Sequence, residues 1–322
     1  MDFHLLNDFK TRIRYIRSHV LGMNRRNSEF IFKQNPLELY QLVDNKILTK
    51  QVLSAKSIPT PIMYFTIQSY FELKDLQNRV KPFSNFVVKP ANGFGGEGVL
   101  IVNQVHENGF ETAGGTWLNR LKFTDHVQDI LSGIYSLNQM QDHVLCEEKL
   151  EADPAVAALT YKGIPDIRVV LFRGVPVMAM LRLSTKKSNG KANLHQGGIG
   201  AGIDLLTGRT THAIYGKQYI DHHPDSGEPL IGAQIPTWDN ILELASRCFE
   251  AAPLGYMGVD IVLDPRRGPM VLELNVRPGL MIQMANRMGL KPILAKLRGE
   301  ETDKLSIPEK IAFGKGLYEN NL

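Results

Sequence analysis

The strongest constraint on the fold is a pair of apolar segments near the carboxyl end of the chain. Residues 258–263 and 270–276 have the composition of strands, and residues 264–269 between them are rich in Pro, Gly and charge. A short polar connection between two such runs predicts that the segments pair as an antiparallel hairpin.

Three polar residues of this hairpin are expected to share one face. Glu273 and Asn275 are two positions apart on one strand, and Asp260 lies on the preceding strand. Oxygen donors without His or Cys suit a hard cation such as Mg²⁺ that is also bound to phosphates. The alternative is the solvent-facing side of an amphipathic hairpin, but the combination of Asp, Glu and Asn favours a metal site.

A glycine-rich loop lies between two shorter apolar runs, residues 86–88 and 99–102. Its residues are Gly93, Phe94, Gly95, Gly96, Glu97 and Gly98. A strand instead of a helix follows the loop, which excludes a dinucleotide-binding fingerprint, and Lys89 precedes it, which excludes a protein-kinase loop. The pattern predicts a strand–Lys–loop–strand hairpin that binds phosphate through backbone N–H groups, with a flexible surface hairpin as the alternative.

The rest of the chain alternates between helical and strand-like patterns, which predicts an α+β protein with antiparallel sheets. A basic amphipathic helix is expected between Phe3 and Val20, and a polar, peripheral tail from Glu300 onward. Further helices are expected over residues 44–55, 117–140 and 237–251, and further strands over residues 144–146, 168–173 and 176–183.

Composition excludes several classes of protein. The 322 residues are 43% hydrophobic and 22% charged, which argues against disorder. The net charge of +4 favours anionic ligands but is too small to indicate nucleic acid. Cys146 and Cys248 are the only cysteines, and the apolar runs are too short to span a membrane. A reduced, cytoplasmic protein without integral membrane contact is expected.

The glycine-loop segment and the carboxyl-terminal hairpin segment, in this order, resemble the ATP-grasp superfamily. Further matches narrow the resemblance to its RimK-type glutamate ligase branch and cover about residues 44–295. They are Asp166-Ile167-Arg168, residues 192–198, residues 258–261, and Glu273-Leu274-Asn275 followed by Pro278-Gly279-Leu280. Residues 22–27 are similar to the group called α-L-glutamate ligase homologues.

The resemblance implies an ATP-grasp fold, in which two α+β lobes clamp ATP. The region before Lys46 is too short for the α/β domain that usually precedes this core, so helices are expected there. The implied division is a helical region at 1–55, a small lobe with the glycine lid at 56–145, and a large lobe with the metal-binding hairpin at 146–322.

Roles for individual residues also follow from the resemblance. Lys46 and Lys89 are expected to contact ATP phosphates, and residues 93–98 to close over them. Further nucleotide contacts are implied for Glu147, Glu148, Lys149, Leu150, Asp166, Lys191 and Asn193. The implied metal ligands are Asp260, Glu273 and Asn275, and the implied catalytic residues are Arg182, Asn275 and Arg277.

Arg277 stands where the RimK-type enzyme has a Ser, which predicts a more acidic substrate than glutamate. His195 is expected either to deprotonate the attacking amine or to position the acceptor. His222 and His223 lack a third ligand at a defined spacing, which predicts a solvated turn and not a metal site.

The implied activity is an ATP-dependent carboxylate–amine ligation through an acyl-phosphate, with Mg²⁺ as cofactor and Mn²⁺ as its substitute. The substrates would be amino-acid or peptide carboxylates and amines, and nucleic acid is not an expected partner. Two alternatives stay open: an ATP-grasp kinase, and a non-catalytic nucleotide-binding protein. The sequence leaves the acid, the amine and the oligomeric state open, a homo-oligomer included.

Overall fold

The structure, a computed structural model, describes residues 9–93, 95–136 and 139–321 and divides into two units. The larger unit contains the described residues up to Val43, then Val52–Pro59 and Ala152 onward. The smaller unit contains Asp44–Gln51 and Thr60–Glu151.

A seven-stranded antiparallel sheet forms the larger unit, in the order β11-β10-β9-β8-β7-β12-β13. Strands β7 and β8 form a tight hairpin, because Arg173 and Gly174 both have positive φ (47° and 78°), as the right-handed twist of the strands requires. The strands are β7 (Asp166–Phe172), β8 (Val175–Leu183), β9 (Ile199–Ile203), β10 (Thr210–Tyr215), β11 (Gln218–Ile220), β12 (Tyr256–Asp264) and β13 (Gly268–Asn275).

A six-stranded antiparallel sheet forms the smaller unit, in the order β1-β6-β2-β3-β4-β5. Phe86, Phe110 and Phe123 pack edge to face or tilted at its centre, with ring centroids 4.3–6.1 Å apart. The strands are β1 (Met63–Ile67), β2 (Phe86–Pro90), β3 (Leu100–His106), β4 (Gly109–Thr112), β5 (Trp117–Asn119) and β6 (Val144–Glu147).

Helices cover the two sheets and also form the amino-terminal part of the larger unit, where a π-helix (Arg26–Ile31) follows α2. They are α1 (Phe9–His19), α2 (Met23–Arg25), α3 (Phe32–Gln34), α4 (Gln41–Asp44), α5 (Lys46–Ala55), α6 (Leu76–Val80), α7 (Arg120–Ser132), α8 (Pro154–Ala157), α9 (Trp238–Ala251), α10 (Ile282–Ala285), α11 (Lys291–Leu297) and α12 (Ile307–Glu319). None of the described helices is long and apolar enough to cross a membrane.

Most of the predicted strands and the helix over 237–251 are confirmed, but two predictions are wrong. Residues 117–140 are not one helix: residues 117–119 form β5, and α7 runs from the Asn119 N-cap to Gly133, whose positive φ ends it. The tail after Glu300 is not peripheral, because α12 buries Leu317 and Tyr318 against the core. The predicted opening helix lies partly outside the described residues and is otherwise seen as α1.

Strands β9 to β11 were not predicted. The sequence of β9 is Ile-Gly-Ala-Gly-Ile, and its glycines weaken the strand pattern. Their role is to let α10 approach: a Cβ at Gly202 would lie 2.4 Å from the Ala285 carbonyl oxygen. The glycines of β9 thus allow α10 to pack closely on the strand. Local sequence patterns do not reveal such contacts between distant segments.

Two glycines of α12 provide a test of its packing on β8. A Cβ at Gly314 would lie 2.2 Å from the Pro176 carbonyl oxygen, whereas nothing lies within 4 Å of one at Gly316. We expect Gly314→Ala to lower the free energy of unfolding by roughly 1–3 kcal/mol through overpacking. The matched Gly316→Ala should raise it by roughly 0.5–1 kcal/mol, because Ala is the better helix former. Urea denaturation measures both, and equal effects would contradict this packing.

Candidate functional site

A group of buried and partly buried polar side chains lies on the half of the larger sheet that contains β8, β7, β12 and β13. We call Asp166, Arg168, Arg182, Asp260 and Asn275 the Asp260 cluster. Arg168 donates from Nε to Asp260 Oδ1 at 2.7 Å and from Nη2 to Oδ2 at 2.6 Å. Arg182 donates from Nη2 to Asp260 Oδ2 and from Nε to Asp166 Oδ1, each at 2.5 Å. One carboxylate therefore holds two guanidinium groups.

Strand register explains why these residues meet. Arg168 is the cross-strand partner of Asp260, and Asp166 is the partner of Arg182. On the other side of β12, Glu273 pairs with Asp260, so their side chains share a face. Asn275, two positions after Glu273, donates from Nδ2 to Asp260 Oδ2 at 3.1 Å. The predicted hairpin and the shared face of its three polar residues are confirmed.

Burial and charge shift the pKa values in opposite directions across the cluster. Burial by itself raises the pKa of Asp260, but the charges of Arg168 and Arg182 outweigh it and lower that pKa to about 2. Burial raises the pKa of Asp166 to about 6, since the Arg182 charge opposes it only in part and the Asp260 charge adds to it. Asp260 is therefore the permanent anion of the cluster.

The residues predicted to bind metal fit a hard cation by donor type. Glu273 offers carboxylate oxygens, and Asn275 has an amide oxygen opposite the nitrogen that it uses toward Asp260. Both oxygens of the Asp260 carboxylate already accept hydrogen bonds from Arg168, so a cation would share them with this arginine. Within the described residues, no three His, Cys, Asp or Glu side chains are grouped so as to hold a metal ion. A cation held here would therefore need further oxygens, such as those of a polyphosphate, and the metal role stays a prediction.

The smaller unit has a buried group with a net positive charge. We call Lys50, Lys89 and Glu147 the Glu147 cluster. Lys89 Nζ lies 2.5 Å from Glu147 Oε1, and Lys50 Nζ lies 2.8 Å from Oε2 and donates to the Pro61 carbonyl oxygen at 2.6 Å. Two cations thus face one anion, and all three side chains are buried.

Burial and charge also act against each other on Lys50 and Glu147. Burial lowers the pKa of Lys50 to about 8, because the Glu147 charge opposes the loss of water only in part and Lys89 adds repulsion. Burial by itself raises the pKa of Glu147, but the charges of Lys89 and Lys50 outweigh it and lower that pKa. An anionic ligand near the two lysines would relieve their repulsion.

The glycine loop has the hairpin form that the sequence predicts. Gly95, Gly96 and Gly98 have positive φ (64°, 76° and 72°), which side chains other than Gly rarely tolerate. Its first strand is anchored by Asp142, which accepts from the backbone and side chain of Asn92. Phe94 lies outside the described residues, and Glu97 is part of the turn that follows it.

Lys46 is placed beside the start of this loop. Its Nζ donates to the Gly93 carbonyl oxygen at 2.7 Å, and its backbone N–H donates to the Ala91 carbonyl oxygen at 2.9 Å. The sequence pointed to Lys46 but not to Lys50, which lies one helical turn further along α5 on the same face of the helix. The i, i+4 spacing of the two lysines is the signal that could have found it.

The predicted adenine-reading segment runs from Glu147 to Leu150. The structure gives Glu147 a second function that the sequence did not indicate, since its side chain binds both buried lysines. Glu148 exchanges two hydrogen bonds with Ile62: its N–H donates to the Ile62 carbonyl oxygen, and its Oε1 accepts the Ile62 N–H at 2.7 Å. Lys149 is half-buried and Leu150 is buried. The nucleotide role of this segment stays a prediction.

The segment between β8 and β9 carries Lys191, Asn193 and His195. Asn193 caps a 3₁₀ turn by accepting the His195 N–H at 3.1 Å, and His195 is exposed. Beside this segment lies an open groove of about 490 Å³, lined among others by Lys187, His195 and Lys217. The roles of Lys191, Asn193 and His195 at the nucleotide site stay predictions.

His223 differs from the predicted solvated turn. It is buried, its Nε2 lies 2.9 Å from the Ser184 carbonyl oxygen, and its Nδ1 accepts the Asp225 N–H at 3.2 Å. Asp225 in turn accepts the Lys186 N–H at 2.8 Å. His223 therefore fastens its own loop to the start of the segment that carries Asn193, and the prediction was wrong because one side chain faces inward.

Comparison with known proteins adds a family to this geometry. The model of the sugar-transfer associated ATP-grasp family matches residues 25–299. A probable alpha-L-glutamate ligase of Legionella pneumophila (strain Corby) is 24% identical over 236 residues, which are 73% of this chain and 56% of that protein. The chain thus spans a little over half the length of this curated relative. The ATP-grasp resemblance predicted from the sequence is confirmed, and a protein named as a glutamate ligase is among the chain's relatives.

Solved structures of ligases match this chain at low similarity. The D-alanine–D-alanine ligase of Bacillus anthracis has a TM-score of 0.42 at 16% identity, over 89% of this chain and 72% of that one. The D-alanine–D-alanine ligase of Coxiella burnetii has a TM-score of 0.45 at 15% identity, over 89% of this chain and 60% of that one. Such distant similarity supports no inference about substrate.

The lowered pKa of Lys50 predicts a pH dependence of stability. Between about pH 8 and the ordinary lysine pKa of 10.5, the unfolded chain binds a proton at Lys50 that the folded chain does not, so this group makes folding more favourable as pH rises. We therefore expect the wild type to gain about 3 kcal/mol of unfolding free energy relative to Lys50→Met between about pH 8 and pH 10.5.

Urea denaturation at pH 7.5 and pH 10 measures this difference. Lys122→Met, at an exposed position of the same unit, is the matched control. A difference between wild type and Lys50→Met that is constant or shrinks with pH would contradict the assignment.

Proposed function

Since the chain belongs to the sugar-transfer associated ATP-grasp family and has its α+β fold, we propose that it is an ATP-dependent ligase that joins a carboxylate to an amine. The Asp260 cluster carries this proposal: an ionised carboxylate lies beside two arginines, and the Glu273 carboxylate of β13 is on the same face of the sheet. Such an arrangement suits a reaction in which negative charge moves between phosphate and carboxylate oxygens.

The Glu147 cluster supports binding of the nucleotide phosphates. Lys89 directly precedes the glycine loop, and together with Lys50 it leaves one buried positive charge without a matching anion inside the cluster. Lys46 adds a third cation at Gly93, the first residue of the loop. The loop itself acts as a lid that excludes water, because an acyl-phosphate is lost to hydrolysis if water reaches it.

In the proposed site, Asp260, Glu273 and Asn275 hold Mg²⁺, and Mn²⁺ can replace it. The ion, when bound, neutralises phosphate charge so that an anionic nucleophile can approach. Arg182 stabilises the acyl-phosphate, and its position is held by Asp166 and Asp260. Further nucleotide contacts are proposed for Lys191, Asn193 and the segment from Glu147 to Leu150.

The reaction has two steps. A carboxylate oxygen of the acid attacks the γ-phosphorus of ATP, which forms an acyl-phosphate and breaks the bond to ADP. The amine nitrogen then attacks the acyl carbon, phosphate leaves, and the amine proton passes to solvent or to a base such as His195. The chain contributes orientation and electrostatic stabilisation and needs no covalent nucleophile.

Glutamate or another amino acid, added to a peptide or small molecule, is the substrate class that we propose. The name of the Legionella relative supports it, and Arg277 in the turn after β13 favours an acidic substrate. Such a reaction belongs to the cytoplasm, where ATP is available.

The activity is tested by following ADP and new masses when the purified chain is given ATP, Mg²⁺ and pools of amino acids and peptides. We expect ADP formation that requires both an acid and an amine, and that stops when EDTA removes the metal. ADP formation with a single substrate and no amide product would identify a kinase instead. ATP binding without any ADP would identify a nucleotide-binding protein.

Two charge-removing variants test the assigned residues. Lys89→Gln and Glu273→Gln should each lower the rate of ADP formation about 10²–10³-fold, as the loss of a well-placed charge does in other active sites. Lys122→Gln and Glu250→Gln, at exposed positions of the same two units, are the matched controls and should keep the wild-type rate. Wild-type rates in both active-site variants would exclude the proposed site.

A further inference from the structure

Arg26 is a buried arginine outside the clusters described so far. Its side chain is only 7% exposed, and it begins the π-helix Arg26–Ile31 of the larger unit. π-helices are rare and occur frequently at functional sites. The position therefore combines a buried charge with a helix type that is often found at functional sites.

The hydrogen bonds of Arg26 go to neutral oxygens. Its Nε and Nη2 donate to Asn27 Oδ1 at 3.1 and 2.9 Å, and its Nη1 donates to the Pro278 carbonyl oxygen at 3.0 Å. These contacts orient the guanidinium but leave its charge unbalanced. Since a guanidinium has five N–H donors, it also keeps donor capacity for a further acceptor.

The electrostatic surroundings of Arg26 contain no compensating acid among the described residues. Burial lowers the pKa of Arg26, the charge of Arg277 lowers it further, and only Tyr256 acts in the other direction. By contrast, Arg168 and Arg182 are each paired with a carboxylate. A buried charge without a partner is costly, which indicates that an anion completes this site.

Arg26 lies next to the proposed catalytic residues. Pro278, which accepts its hydrogen bond, belongs to the turn that directly follows Asn275. A Cβ placed on Gly279 of the same turn would be 4.0 Å from Arg168 Nη1, and one on Gly258 would be 2.8 Å from Pro278 Cβ. The turn is therefore packed against β12 and lies close to Arg168 of the Asp260 cluster, while its Pro278 carbonyl oxygen accepts from Arg26.

Arg277 supplies the exposed part of the same positive region. Its guanidinium lies over the Tyr40 ring, 5.4 Å from the ring centroid, and the residue is exposed to solvent. One arginine can thus meet an incoming anion while the other is already fixed in place. Preorganised arginines bind carboxylate and phosphate groups well because their N–H groups are planar and can act in pairs.

We propose that Arg26 and Arg277 form a subsite for a second anionic group of the substrate, a carboxylate or a phosphate, distinct from the carboxylate that is activated. This deepens the proposed function and rests on it for the identity of the reaction, but not for the binding of the anion. The subsite makes the ligase selective for a substrate with two negative charges.

Direct binding tests the subsite without ATP or metal. Isothermal titration of the full chain at low salt uses two probes, glutarate for a carboxylate and inorganic phosphate for a phosphate. We expect binding of at least one probe, weakened tenfold or more in Arg26→Gln and in Arg277→Gln. The probe with the higher affinity identifies the group.

Arg25→Gln is the matched control, because it removes the same charge one position away, on an exposed side chain paired with Glu29. It should bind like the wild type. No binding by the wild type, wild-type binding by both Arg26→Gln and Arg277→Gln, or equal weakening in Arg25→Gln would overturn the proposal. Arg277 is exposed, so its variant keeps the test valid if Arg26→Gln does not fold.

A kinetic measurement then separates substrate selection from a structural role of Arg26. In the ligation assay, Arg26→Gln should raise the KM for a dicarboxylic acid. The fold increase should be at least ten times larger than the fold increase in KM for the monocarboxylic analogue. An equal rise for both acids would indicate a structural role and overturn the proposal. If no acid gives ADP with the wild type, the proposed function fails, while the titration still decides whether the anion subsite exists.

Discussion

The carboxylate of Asp260 is the interaction on which the larger unit depends. It sits on β12, the neighbour of the edge strand β13, and binds arginines from β7 and β8 as well as Asn275 of β13. A single ionised group therefore links four adjacent strands at one point. Breaking a buried ion pair costs several kcal/mol, because the remaining charge stays away from water, so this point tolerates little change.

The two units balance their buried charges in opposite ways. In the Asp260 cluster, acids and arginines are present in similar number and the central acid stays ionised. In the Glu147 cluster, Lys50 and Lys89 outnumber Glu147, and burial makes it easier for Lys50 to lose its proton. The larger unit can therefore orient groups and a cation, and the smaller unit offers net positive charge to an anion.

Local patterns predicted the parts of the fold that depend on neighbours in the chain. The β12–β13 hairpin and the glycine loop were found because alternation, turn residues and positive-φ glycines act within a few positions. Strand β9 was missed, since its glycines make room for α10, and α12 was taken for a loose tail although Tyr318 is buried. Both errors come from packing between distant segments.

The sequence by itself determined the chemistry that is available: oxygen donors on one strand face, a lysine before a glycine loop, and a family resemblance that comparison confirmed. Only the tertiary structure decided the partners. That Arg168 binds Asp260, that Glu147 binds Lys50, and that Arg26 has only neutral acceptors follows from strand register and burial over long chain separations. Electrostatic effects depend on distance and on exclusion of water, and neither quantity can be read from the order of the residues.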